Sequence, residues 1–345
     1  MEIVWIVAAV LLILFAVILL LTHIILKKRF YRGEYPKHPI PERFYDAYSD
    51  RYPRRAVSFH SGKNRLQGYV AGEENTKGRI VFAHGIGAGH QTYIKELLWM
   101  VDHGWRVLAY DATGSCESEG DSTGGLVQSA LDLHAALTWV ENEPTLSHLP
   151  VCLMGHSWGG YAVAAGLWFR HDVKASVSLA GYSDPLGMIA EFARLYMGRA
   201  VLVLLPFVRI WLWMRHGRLG SLTAVKGIDR GEVPVLLVHG TADEVVTADR
   251  VSIAREAEHL KNPNVRVLWM DAEGQNAHGS ILRHRDSISY IEEVDAKIKQ
   301  IRKECTEGSP DAALEAFLRT VDRDLYNRPN DDLLEEIHAF FLSSI

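Results

Sequence analysis

A serine flanked by glycines, in Gly155-His156-Ser157-Trp158-Gly159-Gly160, follows the apolar run VCLMG and leads into the helix-like AVAAGLWF. A hydroxyl in that setting can act as a nucleophile. The sharp turn from strand to helix strains the serine backbone and exposes its oxygen, above a helix N-terminus whose free N–H groups favour developing negative charge. A serine hydroxyl attacks only when a base removes its proton, and the base needs an acid to hold its tautomer. In a sheet of this kind the expected chain order is serine, acid, histidine. Asp243 follows VPVLLVHG, and His278 lies in the glycine-containing loop after VRVLWM. Their spacing of roughly 35 residues suits one helix and one strand between acid and base. These three side chains are the candidate triad.

The rivals are few. Of 16 histidines, His284 and His338 fall in helical stretches, and His156 is expected to point away at the turn. Asp184, after VSLAGYS, is the alternative acid, whereas Asp271 stands too near the base in sequence. An oxyanion hole needs backbone N–H groups from the residue after the nucleophile and from the loop after the third strand. Those are Trp158 and, in His84-Gly85-Ile86-Gly87-Ala88-Gly89, Ile86. Serine–histidine chemistry requires neither metal nor cofactor.

Positioning such residues takes a sheet whose strand ends share one edge. Eight strand candidates are 56–60, 66–71, 79–84, 105–110, 151–155, 174–180, 233–239 and 265–270. The later ones are continuous apolar runs, as strands buried on both faces should be. Helix-like segments at 91–103, 125–142 and 159–170 alternate with them, which predicts a mostly parallel α/β sheet over about 56–302. The stretch at about 185–230 breaks the rhythm with AVLVLLPFVRIWLWM. Pro206 and Arg209 interrupt it, so it reads as a helical cap or an interfacial helix rather than a membrane span. Residues 29–55 read as a linker packing onto the domain. Residues 303–345 read as a helical extension against the domain or a partner, with Leu314, Leu318 and Leu325 on its apolar faces.

Residues 3–21 are apolar without a break, enough to cross a bilayer as a helix. The segment before them carries Glu2 and no basic residue, and no Ala-x-Ala follows, which favours an uncleaved anchor at 1–28 over a signal peptide. Lys27, Lys28, Arg29 and Arg32 follow the run, placing the domain in the cytoplasm of a single-pass protein. With 37 basic against 42 acidic residues, the net charge of −5 argues against nucleic acid as a partner. The 48% apolar content excludes a mainly disordered chain. Cys116, Cys152 and Cys305 are too few and scattered for a disulfide scaffold or a cysteine-rich zinc site.

Taken together, HGIGAGHQTY at 84–93, DATGSCESEG at 111–120, GHSWGG at 155–160, HGTADEVV at 239–246 and the late His278 resemble the α/β-hydrolase superfamily, in its branch of monoacylglycerol lipases and serine aminopeptidases. That branch usually shows Asp-x-Arg-Gly-x-Gly-x-Ser in the second motif. Thr113 stands here for the arginine and Cys116 for the second glycine. The resemblance implies an α/β-hydrolase fold and hydrolysis of carboxylic esters through an acyl-enzyme. An anchor and an apolar cap point to a lipid-like or long-acyl ester as substrate. Peptidase and acyltransferase chemistry remain open on the same residues, as does a non-catalytic membrane scaffold.

Overall fold

A computed structural model describes residues 1–145, 148–304 and 310–345; Cys305 lies outside them. The chain begins with the helix α1 (Glu2–Arg29) and a partly irregular segment, then enters the sheet through the hairpin β1 (Arg54–Ser61) and β2 (Asn64–Ala71). Helices and strands then alternate: β3 (Arg79–Ala83), α2 (Ile94–Asp102), β4 (Arg106–Tyr110), α3 (Gln128–Asn142), β5 (Val151–His156), α4 (Trp158–Ala165) and β6 (Val173–Leu179). The cap helices α5 (Pro185–Met197) and α6 (Val201–His216) follow, then α7 (Ala224–Gly231), β7 (Val235–Gly240) and β8 (Val265–Met270). The described chain closes with α8 (Arg285–Glu304), α9 (Pro310–Leu318), α10 (Arg323–Tyr326) and α11 (Asp331–Leu342).

The eight strands form one sheet in the order β1-β2-β4-β3-β5-β6-β7-β8. Only the β1–β2 and β2–β4 pairs are antiparallel. Each strand candidate read from the sequence lies within two residues of an observed strand. Central strands are buried along their whole length because helices cover both faces, and alternate residues serve alternate cores. Val81, Leu153 and Leu237 point to the face covered by α3, α4 and α7. Ile80, Phe82, Cys152, Met154 and Leu236 point to the face covered by α2 and α11.

α11 belongs to that second core. Leu333, Leu334, Ile337 and Phe341 are buried there, and the Trp105 indole donates to His338 Nδ1 at 2.8 Å. The hydrophobic core therefore continues past residue 302, and of the two partners the sequence left open for this extension, the domain is the one α11 packs against. Within residues 303–345, α9 and α10 pack on α8 through Leu314, Leu318 and Tyr326. The segment after α1 packs closely as well. Arg32 donates to the carbonyls of Ser118 at 2.7 Å, Gly120 at 3.0 Å and Cys116, so its charge is used inside the fold.

α1 is long and apolar enough to cross a membrane. Residues 1–17 are exposed, while Thr22 and Leu26 are buried where α1 meets α6. The stretch spanning α5 to α7 is also apolar, but it is folded into separate helices. α6, the most apolar, rises only about 24 Å, less than a bilayer core.

Candidate active site

β3, β5, β7 and β8 run parallel, so their C-terminal ends lie along one edge of the sheet, and every residue of the candidate site sits just past one of them. Ser157 links β5 directly to α4, with φ 56° and ψ −112°. An L residue meets that left-handed region only under constraint from its surroundings. Close packing supplies the constraint: a Cβ at Gly159 would overlap the carbonyl of Ala83, so only glycine lets α4 pass β3 at this distance. The Ser157 N–H is held by the Leu179 carbonyl at 2.8 Å.

The three side chains chosen from the sequence meet. His278 Nε2 stands 2.9 Å from Ser157 Oγ, and His278 Nδ1 stands 2.8 Å from Asp243 Oδ2. With Nδ1–H donating to the carboxylate, Nε2 is left to accept the serine proton. The other carboxylate oxygen, Asp243 Oδ1, accepts the N–H groups of Val245 at 2.9 Å and Val246 at 2.7 Å. Burial alone would raise the Asp243 carboxyl; the His278 and Val246 N–H groups outweigh it and hold the group below the ordinary carboxylate range. His239 closes the acid from below. Its Nε2 donates to the Val246 carbonyl at 2.8 Å and lies 3.4 Å from Asp243 Oδ2, and burial keeps the ring neutral.

The rivals are placed elsewhere. Asp184 is the N-cap of α5 and accepts from the Gly187 N–H at 2.8 Å. Asp271 is exposed at the end of β8. His338 is packed on α11, as its helical pattern suggested. His284 is not helical: it lies in the connection just before α8, where its Nδ1 accepts the Asp286 N–H at 3.2 Å.

His156 does not point away into irrelevance. Its Nε2 donates to the His278 carbonyl at 3.0 Å, and its Nδ1 accepts from the Tyr93 hydroxyl at 2.9 Å. The Tyr93 oxygen in turn accepts the Gly85 N–H at 3.2 Å. Burial and the nearby His278 ring push the His156 pKa down to about 3, so the ring is neutral and can act as both donor and acceptor. The loop after β3 is thus joined through Tyr93 and His156 to the backbone of His278. Tyr93→Phe would leave two buried groups without partners, so a loss of about 1–3 kcal/mol is expected. Thermal unfolding of the purified variant checks it, and an unchanged midpoint would contradict the chain of bonds.

The same loop carries Ile86. A Cβ at Gly85 would stand 3.5 Å from the Ser157 Cβ, so the backbone leading to Ile86 runs beside the nucleophile. Trp158 N–H is the first of α4, with no carbonyl four residues earlier inside the helix to accept it. His84 shapes the loop's root: it accepts the Ala112 N–H at 2.9 Å and donates to the Gly85 carbonyl at 2.8 Å, kept neutral by burial. Asp111 braces the next turn, accepting from His90, Tyr35 and the Glu117 N–H, and Thr113 bonds the buried Asp132. Cys116, where the resembled branch carries glycine, keeps a positive φ of 43°. His84, Tyr93 and His156 act across 28 to 122 residues, whereas His239 serves Val246 only seven residues on. All four lie inside the motifs, which mark their positions but not their partners.

An eight-stranded, mostly parallel sheet with a serine turn after β5 and a cap after β6 is the α/β-hydrolase fold, and this chain adopts it. More particularly, residues 74–210 match the family model described as serine aminopeptidase, S33. That segment includes Ser157 and ends before Asp243. The chain is 31% identical over 139 residues to the polyketide transferase grgF of a Penicillium species, covering 39% of this chain and 47% of the relative. It therefore spans about half the length of that curated relative. An esterase of Pyrococcus furiosus superposes with a TM-score of 0.54 at 17% identity, over 78% of this chain and 97% of the esterase. A second crystal form of the esterase gives 0.53 at 18% identity, with the same coverage. At such identities these superpositions establish the fold.

Proposed function

We propose that the protein is a membrane-anchored serine hydrolase that cleaves carboxylic esters through an acyl-enzyme. The observation that carries this reading is the Ser157 hydroxyl, strained at φ 56°, 2.9 Å from an imidazole whose other nitrogen is 2.8 Å from a buried carboxylate. Ser157 Oγ attacks the ester carbonyl as His278 Nε2 takes its proton. Asp243 holds the imidazole in the required tautomer and steadies the imidazolium. The N–H groups of Ile86 and Trp158 receive the oxyanion, each such donor being worth about 3 kcal/mol of barrier. His278 then returns the proton to the departing alcohol, and water attacks the acyl-enzyme by the reverse sequence.

α1 supplies the anchor. With Arg32 engaged by backbone carbonyls, the basic flank rests on Lys27, Lys28 and Arg29, which still favours the domain on the cytoplasmic side. An anchored domain with an apolar cap suits a lipid-like or long-acyl ester. Acyl transfer to an alcohol is the second reading, favoured by the identity to a polyketide transferase.

A panel of esters of rising acyl length, assayed on the full chain in detergent micelles, tests the reading. The expected result is hydrolysis whose kcat/KM rises with chain length by about tenfold or more, since each buried methylene contributes roughly 0.8 kcal/mol. Preference for short soluble esters would remove the lipid substrate, and no hydrolysis of any ester would remove the esterase reading. A new ester formed when glycerol is added would favour acyl transfer over hydrolysis.

A further inference from the structure

The length of α1 and the place where the cap grips it are in conflict unless the cap itself enters the membrane. A hydrocarbon core is about 30 Å thick. Residues 2–14 of α1, the part clear of the cap, rise about 20 Å at 1.5 Å per residue. From Phe15 onward one face of the helix meets the cap, while its other faces stay exposed. The Phe15 and Phe207 rings lie 5.1 Å apart, Thr22 and Leu26 are buried, and the Phe30 and Trp211 rings stack at 6.0 Å. Phe15, Ile18, Thr22, Leu26 and Phe30 recur at three and four residues, which is one face of a helix. The free part is too short to span, so the gripped part must supply about the last 10 Å.

From these lengths we propose that the tip of the α5–α6 hairpin is sunk about 10 Å into the leaflet that α1 enters, with lipid acyl chains as its occupant. The proposal rests on α1 being an anchor and is independent of the hydrolase chemistry. Direction along the cap agrees. Going from Trp211 to Phe207 on α6 moves from Phe30 toward Phe15, that is, into the membrane, and the next turn carries Leu202 and Val203. α5 is gripped at Phe192, over which the Arg29 guanidinium sits at 5.2 Å, and its last turn carries Leu195, Tyr196 and Met197.

These side chains are what water should not meet: Leu195 is 75% exposed, Tyr196 90% and Val203 70%. Nothing in the described fold covers them. Arg199, exposed at the hairpin tip, fixes the depth. A guanidinium at the bilayer centre is costly, but one at the headgroup boundary can reach back to a phosphate. The hairpin would thus enter one leaflet, with the Arg199 side chain reaching back toward the headgroups, and not cross the core. It also springs from the end of β6, whose Leu179 carbonyl holds the Ser157 N–H, so immersion brings the candidate site's edge to the leaflet. Amphiphilic esters dissolved in that leaflet are the substrate class such a placement serves.

Depth-dependent quenching on the full chain in phosphatidylcholine vesicles with a minor anionic lipid tests this directly. An environment-sensitive fluorescent amino acid is placed in turn at Val10, at Met197 and at Asp332, which is exposed on α11 across the sheet from α1. Lipids with a nitroxide high on the acyl chain should quench Val10 and Met197 at least about twofold more than Asp332, with Met197 quenched less by a deep nitroxide. Quenching at Val10, with Met197 open to aqueous iodide, would overturn the proposal. So would a Met197 probe shielded from iodide yet untouched by lipid nitroxide, because a protein surface would then be the occupant. An unquenched Val10 would overturn the anchor itself and this inference with it, leaving the hydrolase reading standing.

Discussion

Replacing Ser157 with alanine is expected to lower ester turnover by about 10⁶, because nucleophile, base and acid act as one unit and losing the attacking oxygen removes the covalent route. The fold should survive. Ser157 contributes its N–H to Leu179, and an alanine N–H does the same; the strained φ of 56° is imposed by the packing of α4 against β3, which the substitution leaves alone. Relief of the buried hydroxyl makes an unchanged or slightly higher melting temperature the expected companion result. Steady-state kinetics and thermal unfolding on the same preparation check both. A variant that retains even a hundredth of the parent rate would mean another group does the chemistry.

The second large effect is at the acid. Asp243→Asn keeps the shape and keeps an oxygen for Val245 and Val246 N–H, but offers an N–H₂ to His278 where a carboxylate oxygen stood at 2.8 Å. His278 Nδ1 must then accept, Nε2 carries the proton, and the ring can no longer take one from Ser157 at neutral pH. A fall of about 10⁴ in kcat with little change in KM is expected, since binding uses other contacts. His239, whose Nε2–H already serves Val246, offers no replacement base. A loss under tenfold would reassign the acid and reopen Asp184, now seen only as the cap of α5.

Much of this was legible beforehand for a physical reason. Strands β3, β5 and β7 are buried on both faces, so they appear as unbroken apolar runs, and residues that chemistry needs at one sheet edge follow those runs immediately. Ser157 and Asp243 sit there; His278 lies farther out, in the loop after the partly exposed β8. The supporting residues do not announce themselves. His156 binds a carbonyl 122 positions away and depends on the direction a side chain takes at a strained turn, which no local pattern encodes. α11 showed an apolar face, but whether that face meets the domain or a partner depends on Trp105 and the far side of the sheet. Contact between α1 and the cap was hidden for a different reason. In a helix apolar on every side, the face that meets protein has the same composition as the face that meets lipid.

The central claim is that Ser157 is a nucleophile activated by His278. A fluorophosphonate reagent, followed by peptide mass spectrometry, tests it most directly, because phosphonylation needs the activated oxygen and no knowledge of the natural ester. The account predicts a single adduct on the peptide containing Ser157, no adduct after Ser157→Ala, and labelling slowed by about 10³ or more after His278→Ala. An unlabelled parent protein, or an adduct on another residue at the parent rate, would contradict it.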